Sequence, residues 1–238
     1  MKIVTWNCNG ALRNKFENLS QLDADIFIIQ ECENPETIPR QKTSYHKFAQ
    51  NTLWCGSNKN KGLGVFATNH FILEKQELNY NWRGRSLQWF LPFRLNKQNI
   101  LAVWNHHAKA KAFAYIGQFW LFMQNNKDYF NNLIIAGDFN SNVIWDHWDR
   151  WWNHADCVNE LKAKNIESVY HSINNVEQGS EKQNTFFLQK NKSKGYHIDY
   201  FFAERNIINK TKKFEILDFN NWKTISDHVP VIWEFELT

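Results

Sequence analysis

The chain has 238 residues, a formal net charge of +4, and only 9 Gly and 4 Pro. This length suits one domain, and we expect a single domain over residues 1–238 without linkers or low-complexity tails. No apolar stretch is long enough to span a bilayer, and the mild basic excess suits a polyanionic partner such as nucleic acid without identifying one.

The N-terminal sequence and the cysteines predict where the protein works. Residues 2–6 alternate like a strand, and no charged segment followed by an apolar one indicates a secretory signal. The 4 cysteines are scattered without C-x-x-C spacing, which favours reduced thiols over disulfides or zinc. We therefore expect a cytoplasmic protein that does not associate with membranes, and no pattern indicates a protein partner.

The first half of the chain predicts a strand, a helix and then a run of strands. Residues 2–6 form the first strand, and the next apolar residues recur at helical spacing between Leu12 and Leu22. Residues 26–29 are wholly apolar, which is typical of a strand buried on both faces. Further strands are predicted at residues 64–67, 72–78, 87–95 and 100–104.

The second half of the chain adds helices between strands. An amphipathic helix is predicted around residues 113–123, and a short helix around Val158 and Leu161. Residues 133–136 form a second wholly apolar strand. The last strands are predicted at residues 185–188, 197–203, 214–217 and 231–235. This mixture predicts an α/β sandwich of two mixed, mostly antiparallel sheets with helices outside them.

Polar side chains follow or flank several of these strands. Asn7, Glu31 and Asp138 come directly after apolar strands, Asp199 lies inside a strand, and Asp227 precedes the last one. Loops at strand ends are where open sheets place their ligands. Converging carboxylates repel one another unless a cation lies among them, and oxygen ligands favour Mg²⁺, Mn²⁺ or Ca²⁺ over zinc. Because Mg²⁺ needs few protein carboxylates, we expect Mg²⁺, with Mn²⁺ as a substitute.

Five short segments carry a resemblance to a known family. They are Trp6-Asn7-Cys8-Asn9-Gly10, Ile29-Gln30-Glu31, Gly137-Asp138-Phe139-Asn140, His197-Ile198-Asp199-Tyr200 and Ser226-Asp227-His228. In this order they resemble the motifs of the endonuclease/exonuclease/phosphatase superfamily, over nearly the whole chain. The resemblance implies a four-layered α/β sandwich and metal-dependent hydrolysis of phosphoesters.

The resemblance also implies a metal site. It makes Glu31 the principal metal ligand, helped by Asn9 and Asp227. Asn9 has a second interpretation, because a turn before Gly10 favours Asn in any protein.

The same resemblance implies catalytic roles for residues that handle water and phosphate. Asp138 orients and deprotonates the attacking water, and Asn140 positions water or phosphate. Asn7 holds a phosphate oxygen. His228 contacts the phosphate and stabilises its developing charge, and Asp199 orients His228. A carboxylate beside a histidine raises its pKa and fixes its tautomer, so the chemistry agrees with these roles.

The chain departs from the family where a strand should end with a His or Tyr that assists the leaving group. Here the predicted strand 100–104 ends with Trp104, followed by Asn105, His106 and His107. Trp is a poor proton donor, so we assign this role to His106. Two alternatives stay open: that His107 takes the role, or that both are exposed loop histidines.

Four residues are predicted to contact the substrate: Asn142, Trp145, Arg83 and Arg85. The first two follow the Asp138 motif, and the arginines flank Gly84 in a loop whose alternative interpretation is a solvated hairpin tip. Residues 145–152 are rich in Trp and either stack on bases near the active site or pack a loop onto the sandwich. For most of these rings the packing interpretation is favoured, because large aromatic side chains are usually partly buried.

These inferences predict an enzyme, a Mg²⁺-dependent nuclease that cleaves DNA in preference to RNA by attack of water on phosphorus. Two other functions compete with it. One keeps the chemistry and changes the substrate to a small phosphoester such as an inositol phosphate. The other is a binding module that has kept the fold without the catalysis, which predicts a damaged motif set, whereas here the metal and water-handling positions are occupied.

Overall fold

The structure is a computed structural model and describes residues 1–107 and 113–237. The strands are β1 (Lys2–Asn7), β2 (Ile26–Cys32), β3 (Thr52–Asn58), β4 (Lys61–Ala67), β5 (Leu73–Lys75), β6 (Asn81–Trp82), β7 (Arg85–Ser86), β8 (Phe90–Leu95), β9 (Gln98–Trp104), β10 (Leu133–Asp138), β11 (Ile166–Ser168), β12 (Phe186–Phe187), β13 (Gly195–Tyr196), β14 (Asp199–Glu204), β15 (Thr211–Ile216) and β16 (Val231–Phe235). The α-helices are α1 (Phe16–Ser20), α2 (Thr43–Phe48), α3 (Ile116–Asn125), α4 (His154–Ala163), α5 (Val169–Asn174), α6 (Arg205–Ile208) and α7 (Phe219–Trp222).

Two six-stranded sheets carry the fold. The first has the order β15-β16-β1-β2-β4-β3, and the second has the order β11-β14-β10-β9-β8-β5. In each sheet one central pair is parallel, β1 with β2 and β9 with β10, while the remaining pairs are antiparallel. Two small hairpins, β6-β7 and β12-β13, lie outside these sheets.

Alternating side chains of the central strands build the layers. In β2, Ile26 and Ile28 enter a core shared by both sheets, while Phe27 and Ile29 enter a second core with side chains of α1, α2 and α7. In β10, Ile135 faces a third core with side chains of α3 and α4. The wholly apolar runs are therefore strands buried on both faces. The predicted four-layered α/β sandwich is confirmed.

Several element bounds differ from the predicted ones, and the differences have local causes. The predicted helix between Leu12 and Leu22 is broken at Lys15, whose φ of −127° is not helical. The predicted strand 72–78 shortens to β5, which pairs with the end of β8 at a sheet edge. The strand predicted from residue 197 begins at Asp199, because Thr185 Oγ1 accepts hydrogen bonds from the backbone N–H groups of residues 198 and 199.

The length and apolar character of the helices decide whether one of them could cross a membrane. Within residues 1–107 and 113–237, no helix combines the length and apolar character that a bilayer crossing requires.

Candidate active site

The predicted catalytic residues meet at one edge, where strands of both sheets end. β1 and β2 run parallel, so Asn7 lies level with Gln30 and beside Glu31. In the second sheet β10 ends at Asp138, and the antiparallel β14 begins opposite it, with Asp138 paired to Asp199. The end of one strand and the start of its antiparallel neighbour thus place two carboxylates side by side.

Asp138 is fully buried, and three donors hold its carboxylate. Asn7 Nδ2 donates to Oδ2 at 2.9 Å and thereby links the two sheets. Asn140 donates twice, from Nδ2 to Oδ2 at 2.8 Å and from its backbone N–H to Oδ1 at 2.8 Å. Burial, followed by the charge of Asp199, raises the pKa of Asp138 to about 7 against the opposing effect of His228 and these hydrogen bonds. A carboxyl group with this pKa is suited to accept a proton from water near neutral pH.

Asp199 and His228 form a buried pair beside Asp138. His228 Nδ1 donates to Asp199 Oδ2 at 3.0 Å, and the imidazole is anchored through its backbone, whose carbonyl accepts from Trp6 Nε1 at 3.0 Å. Burial by itself lowers the pKa of His228, but the charge and hydrogen bond of Asp199 overcome it and raise the pKa to about 9. The imidazole is therefore cationic at neutral pH and is suited to stabilise negative charge on a phosphate.

Glu31 lies on a β-bulge at the end of β2. The register between β2 and β4 shifts between Gln30 and Cys32, and Glu31 has a φ of +61°. Such a backbone is uncommon for Glu, and strain of this kind is concentrated at functional sites. The bulge takes the Glu31 side chain out of the ladder. Its carboxylate forms an ion pair with the half-exposed ammonium group of Lys61, so it already attracts a cation.

The other two predicted metal ligands are less tightly defined by their surroundings. Asn9 is exposed with a φ of +52°, and Gly10 follows with a φ of +74°. This left-handed turn explains the presence of Asn9 without a metal. Asp227 is half-buried, and its Oδ1 accepts from Ser226 Oγ at 3.5 Å. The assignment of Asn9 and Asp227 as ligands stays a prediction.

The donor set at this edge suits a hard cation. Asp138, Asp199 and His228 have ligand atoms that all lie within 4.8 Å of one another. Each of these three groups also bonds to a protein partner, and their roles in proton and charge handling, like that of Glu31 as the metal ligand, stay predictions. Asp199 Oδ1 and the Oδ1 of Asn105 are buried without a hydrogen-bond partner among the described residues. Free oxygen atoms in this setting are the ligand type that Mg²⁺ prefers.

The two candidate acids for the leaving group, His106 and His107, differ in their surroundings. His106 is half-buried, its ring centroid is 4.7 Å from that of Trp104, and the charge of Glu31 acts on it. Burial lowers the pKa of His106, and Glu31 opposes this effect. His107 is exposed and lines a cavity on the side of Tyr115. His106 thus lies nearer the predicted metal ligand, although its role as acid stays a prediction.

The two predicted arginines lie on a hairpin. β6 and β7 pair across a turn in which Arg83 and Gly84 have φ of +50° and +80°, as a type I′ turn requires. Both arginines are exposed, Arg83 lies over the ring of Trp82, and their contact with a substrate stays a prediction beside the alternative of a solvated tip. The guanidinium group of Arg85 lies 5.6 Å above the ring of Phe113.

The predicted substrate contact of Asn142 needs correction. Its side chain is buried, and its Nδ2 lies 3.0 Å from each of three acceptors, Glu181 Oε1, the His197 carbonyl and the Tyr200 hydroxyl, which share its two N–H groups. Its Oδ1 accepts from the backbone N–H of Ile144. Because the amide is used up inside the protein, Asn142 positions the loop after Asp138 and does not face a substrate.

Asn142 belongs to a buried polar network that the sequence analysis did not identify. Glu181 Oε1 accepts from Asn142, from the Gly179 N–H at 3.0 Å and from His171 Nε2 at 2.9 Å. His197 and His154 lie nearby, and burial lowers the pKa of each to about 4. Such groups come from distant parts of the chain, so no local motif signals them. The one available signal was His197, which lies two residues before Asp199.

Packing and exposure both occur among the rings of residues 145–152, since the ring centroid of Trp145 lies 5.0 Å from that of Tyr196 while 98% of Trp148 is exposed. Trp145, Trp148 and Trp151 are exposed. Trp152 does pack, with its ring centroid 4.7 Å from that of Phe113.

Comparison with known proteins places the fold. No family model and no curated protein matches the chain. An AP endonuclease from Archaeoglobus fulgidus matches at a TM-score of 0.69 and 16% identity, with 100% of both chains covered. The 3′ phosphatase NExo from Neisseria, bound to a product DNA hairpin, matches at 0.68 and 16%, again over 100% of both chains. The catalytic domain of APE2 from Xenopus laevis matches at 0.67 and 16%, over 99% of this chain and 91% of that one. The chain therefore shares the fold of these three solved structures.

Proposed function

We propose that the protein is a Mg²⁺-dependent phosphodiesterase, a nuclease that hydrolyses DNA by attack of water on phosphorus. One observation carries the proposal: the Asp138 carboxylate is held by Asn7 and Asn140 beside the Asp199–His228 pair. A base of near-neutral pKa next to a buried imidazolium is what hydrolysis of a phosphoester requires. The unbroken set of these groups argues against a non-catalytic binding module.

Each residue of the site has a separate role in this proposed reaction. Asp138 orients the attacking water and takes its proton, and Asn140 keeps the carboxylate in one orientation. Asn7 donates to Asp138 from Nδ2, and the second hydrogen of this amide would serve a phosphate oxygen. His228, kept cationic by Asp199, stabilises the charge that grows on the phosphate. His106 is the proposed acid for the leaving group.

A Mg²⁺ ion fits the oxygen-rich edge of this site. Glu31 would be its main ligand, with Asn9 and Asp227 contributing, and the bound ion would neutralise charge on the substrate phosphate. Mn²⁺ would substitute, because it accepts the same ligands. Lys61 would then release Glu31 or turn toward the phosphate.

Two observations support nucleic acid as the substrate. The solved structures of this fold include an AP endonuclease and a 3′ phosphatase bound to DNA. Arg150, His147 and Trp145 line the same surface cavity as Asn140, so cationic and aromatic side chains adjoin the site. The free thiols of the chain are consistent with work in the cytoplasm, which we include in the proposal.

A phosphomonoester is the second candidate substrate. It is favoured by the likeness to NExo, which is described as a 3′ phosphatase and also as a 3′–5′ exonuclease. The same residues serve both reactions, because attack on phosphorus by water is common to them. Free small phosphoesters such as inositol phosphates would not use the aromatic surface.

A substrate panel tests the proposal. Duplex, single-stranded and abasic DNA, 3′-phosphorylated DNA, RNA and an inositol phosphate are incubated with Mg²⁺, with Mn²⁺ and with EDTA. We expect DNA cleavage or 3′ dephosphorylation in Mg²⁺ and Mn²⁺ and none in EDTA. A folded protein that hydrolyses only the small phosphoester, or nothing, would contradict the proposal.

A further inference from the structure

A short surface loop concentrates the exposed indole rings of the molecule. Three of the 12 tryptophans of the chain are exposed, Trp145 by 43%, Trp148 by 98% and Trp151 by 66%. All three lie within residues 145–152, which we call the tryptophan loop. Single exposed apolar side chains are common, but grouped rings mark surfaces that bind a partner.

The tryptophan loop borders a cavity that reaches the catalytic residues. This cavity has a volume of about 370 Å³ and is within the size range of ligand pockets. The loop contributes Trp145, His147 and Arg150 to its lining, Tyr115 adds a further ring, and Asn140 belongs to the site around Asp138. A group bound in the cavity would therefore adjoin the phosphate that Asp138 and Asn140 handle.

The opposite side of the tryptophan loop leads to a cation on the β6-β7 hairpin. The rings of Trp151 and Trp152 are 5.0 Å apart, those of Trp152 and Phe113 are 4.7 Å apart, and the Arg85 guanidinium lies 5.6 Å above Phe113. A row of rings thus runs from Trp151 to Arg85, and Arg150 of the same loop lines the cavity beside Asn140. This alternation of rings and positive charge suits a strand of bases joined by phosphates.

The tryptophan loop also carries two negatively charged residues, Asp146 and Asp149. Asp146 is bound to the protein, since its carboxylate accepts from the backbone N–H groups of His154 and Ala155 at 2.8 and 2.9 Å, at the start of α4. Its charge is thereby directed to the helix N-terminus. Asp149 is exposed and is the acidic group of the loop that faces solvent. Asp146 also lines the cavity, together with neutral residues such as Ser141 and Asn153, so among the described residues Arg150 is the cation there.

We propose that the tryptophan loop is a subsite that stacks unpaired nucleobases next to the phosphate being cleaved. This inference rests on the proposed function and names its preferred substrate, single-stranded DNA or a frayed DNA end. Paired bases are stacked on one another and offer no free face to an indole, whereas unpaired bases do. Stacking also tolerates any base, so the subsite selects strandedness and not sequence.

Binding in EDTA tests the subsite separately from catalysis. Labelled single-stranded DNA and blunt duplex DNA of equal length are titrated with the wild type, Trp148→Ala and Trp151→Ala, and affinity is read by fluorescence anisotropy. Each variant is expected to bind single-stranded DNA roughly tenfold more weakly and duplex DNA within about twofold of the wild type. Trp151→Phe restores most of the affinity because it keeps a stacking face. Ile72→Ala, which removes an apolar side chain that is 74% exposed outside the loop, serves as the matched control and leaves both affinities unchanged.

The outcomes separate the two proposals. Wild-type protein that cleaves DNA in Mg²⁺ while the Trp variants bind single-stranded DNA normally overturns the subsite alone. Wild-type protein that binds DNA through the loop but hydrolyses no phosphoester overturns the proposed function. Equal weakening on both substrates, or a dimer that dissociates on Trp148→Ala, also overturns the subsite, because the loop would then serve general adhesion or self-association.

Discussion

Glu181→Gln tests whether the buried network behind the active site stabilises the fold and positions its residues. The carboxylate accepts from Asn142, Gly179 and His171, and the side chains of Glu181 and His171 are only 6% and 8% exposed. Glutamine keeps an acceptor oxygen but removes the charge. Hydrogen bonds to charged groups are worth about 1 kcal/mol more than neutral ones, so three such bonds predict a loss of about 3 kcal/mol of unfolding free energy.

The assay is urea unfolding followed by tryptophan fluorescence, with Glu77→Gln as the matched control. Glu77 pairs with Lys75 on the surface with 80% of its side chain exposed, so its variant should lie within about 0.5 kcal/mol of the wild type. Glu181→Gln should also lower kcat by about tenfold with little change in KM, because Asn142 joins the network to the His197 carbonyl just before Asp199. The same stability and kcat for both variants would refute this reasoning.

Two further predictions concern stability and backbone geometry. Burial holds the pKa of His197 at about 4, below the ordinary value near 6.5, so the unfolded chain binds the proton more readily between these values. Through His197 alone the unfolding free energy should fall by about 3 kcal/mol as the pH drops from 6.5 to 4, and buried His154 adds to this fall. His197→Asn should therefore reduce the slope while exposed His70→Asn leaves it unchanged, and equal slopes for all three proteins would argue against the burial effect. Gly137→Ala should prevent stable folding, since its φ is +150° and the added Cβ would lie 1.8 Å from the Val103 carbonyl oxygen. Gly84→Ala, at a φ of +80° with open space around it, should cost only about 1 kcal/mol, so similar melting temperatures for the two variants would contradict this account.

The sequence predicted best those elements whose side-chain pattern directly reflects which faces are buried. Residues 26–29 and 133–136 are apolar without interruption because each strand lies between two cores, and this pattern requires no knowledge of the fold. The same pattern identified Glu31 and Asp138, because each lies where one of these apolar runs ends. The edge strand β3 was missed, because its later residues are polar and exposed and give no alternation.

The parts of the site that escaped prediction depend on contacts between distant segments. Asn142 follows the catalytic motif in sequence, yet its amide is directed into the protein by Glu181 and Tyr200, which lie far away along the chain. Most rings of residues 145–152 were expected to be partly buried because of their size, but 98% of Trp148 is exposed, because burial also needs a neighbouring surface. Side-chain direction of this kind is decided by tertiary structure, which a single sequence does not display.

Asp138→Asn tests the central claim most directly. The amide keeps the size of the side chain but cannot take a proton from water. DNA hydrolysis is measured under single-turnover conditions in Mg²⁺, together with DNA binding in EDTA and thermal stability, and exposed Asp128→Asn serves as the control. The account predicts that the rate falls by at least about 1,000-fold while binding and folding persist and the control stays active. A folded Asp138→Asn variant that cleaves DNA within about tenfold of the wild type would contradict it.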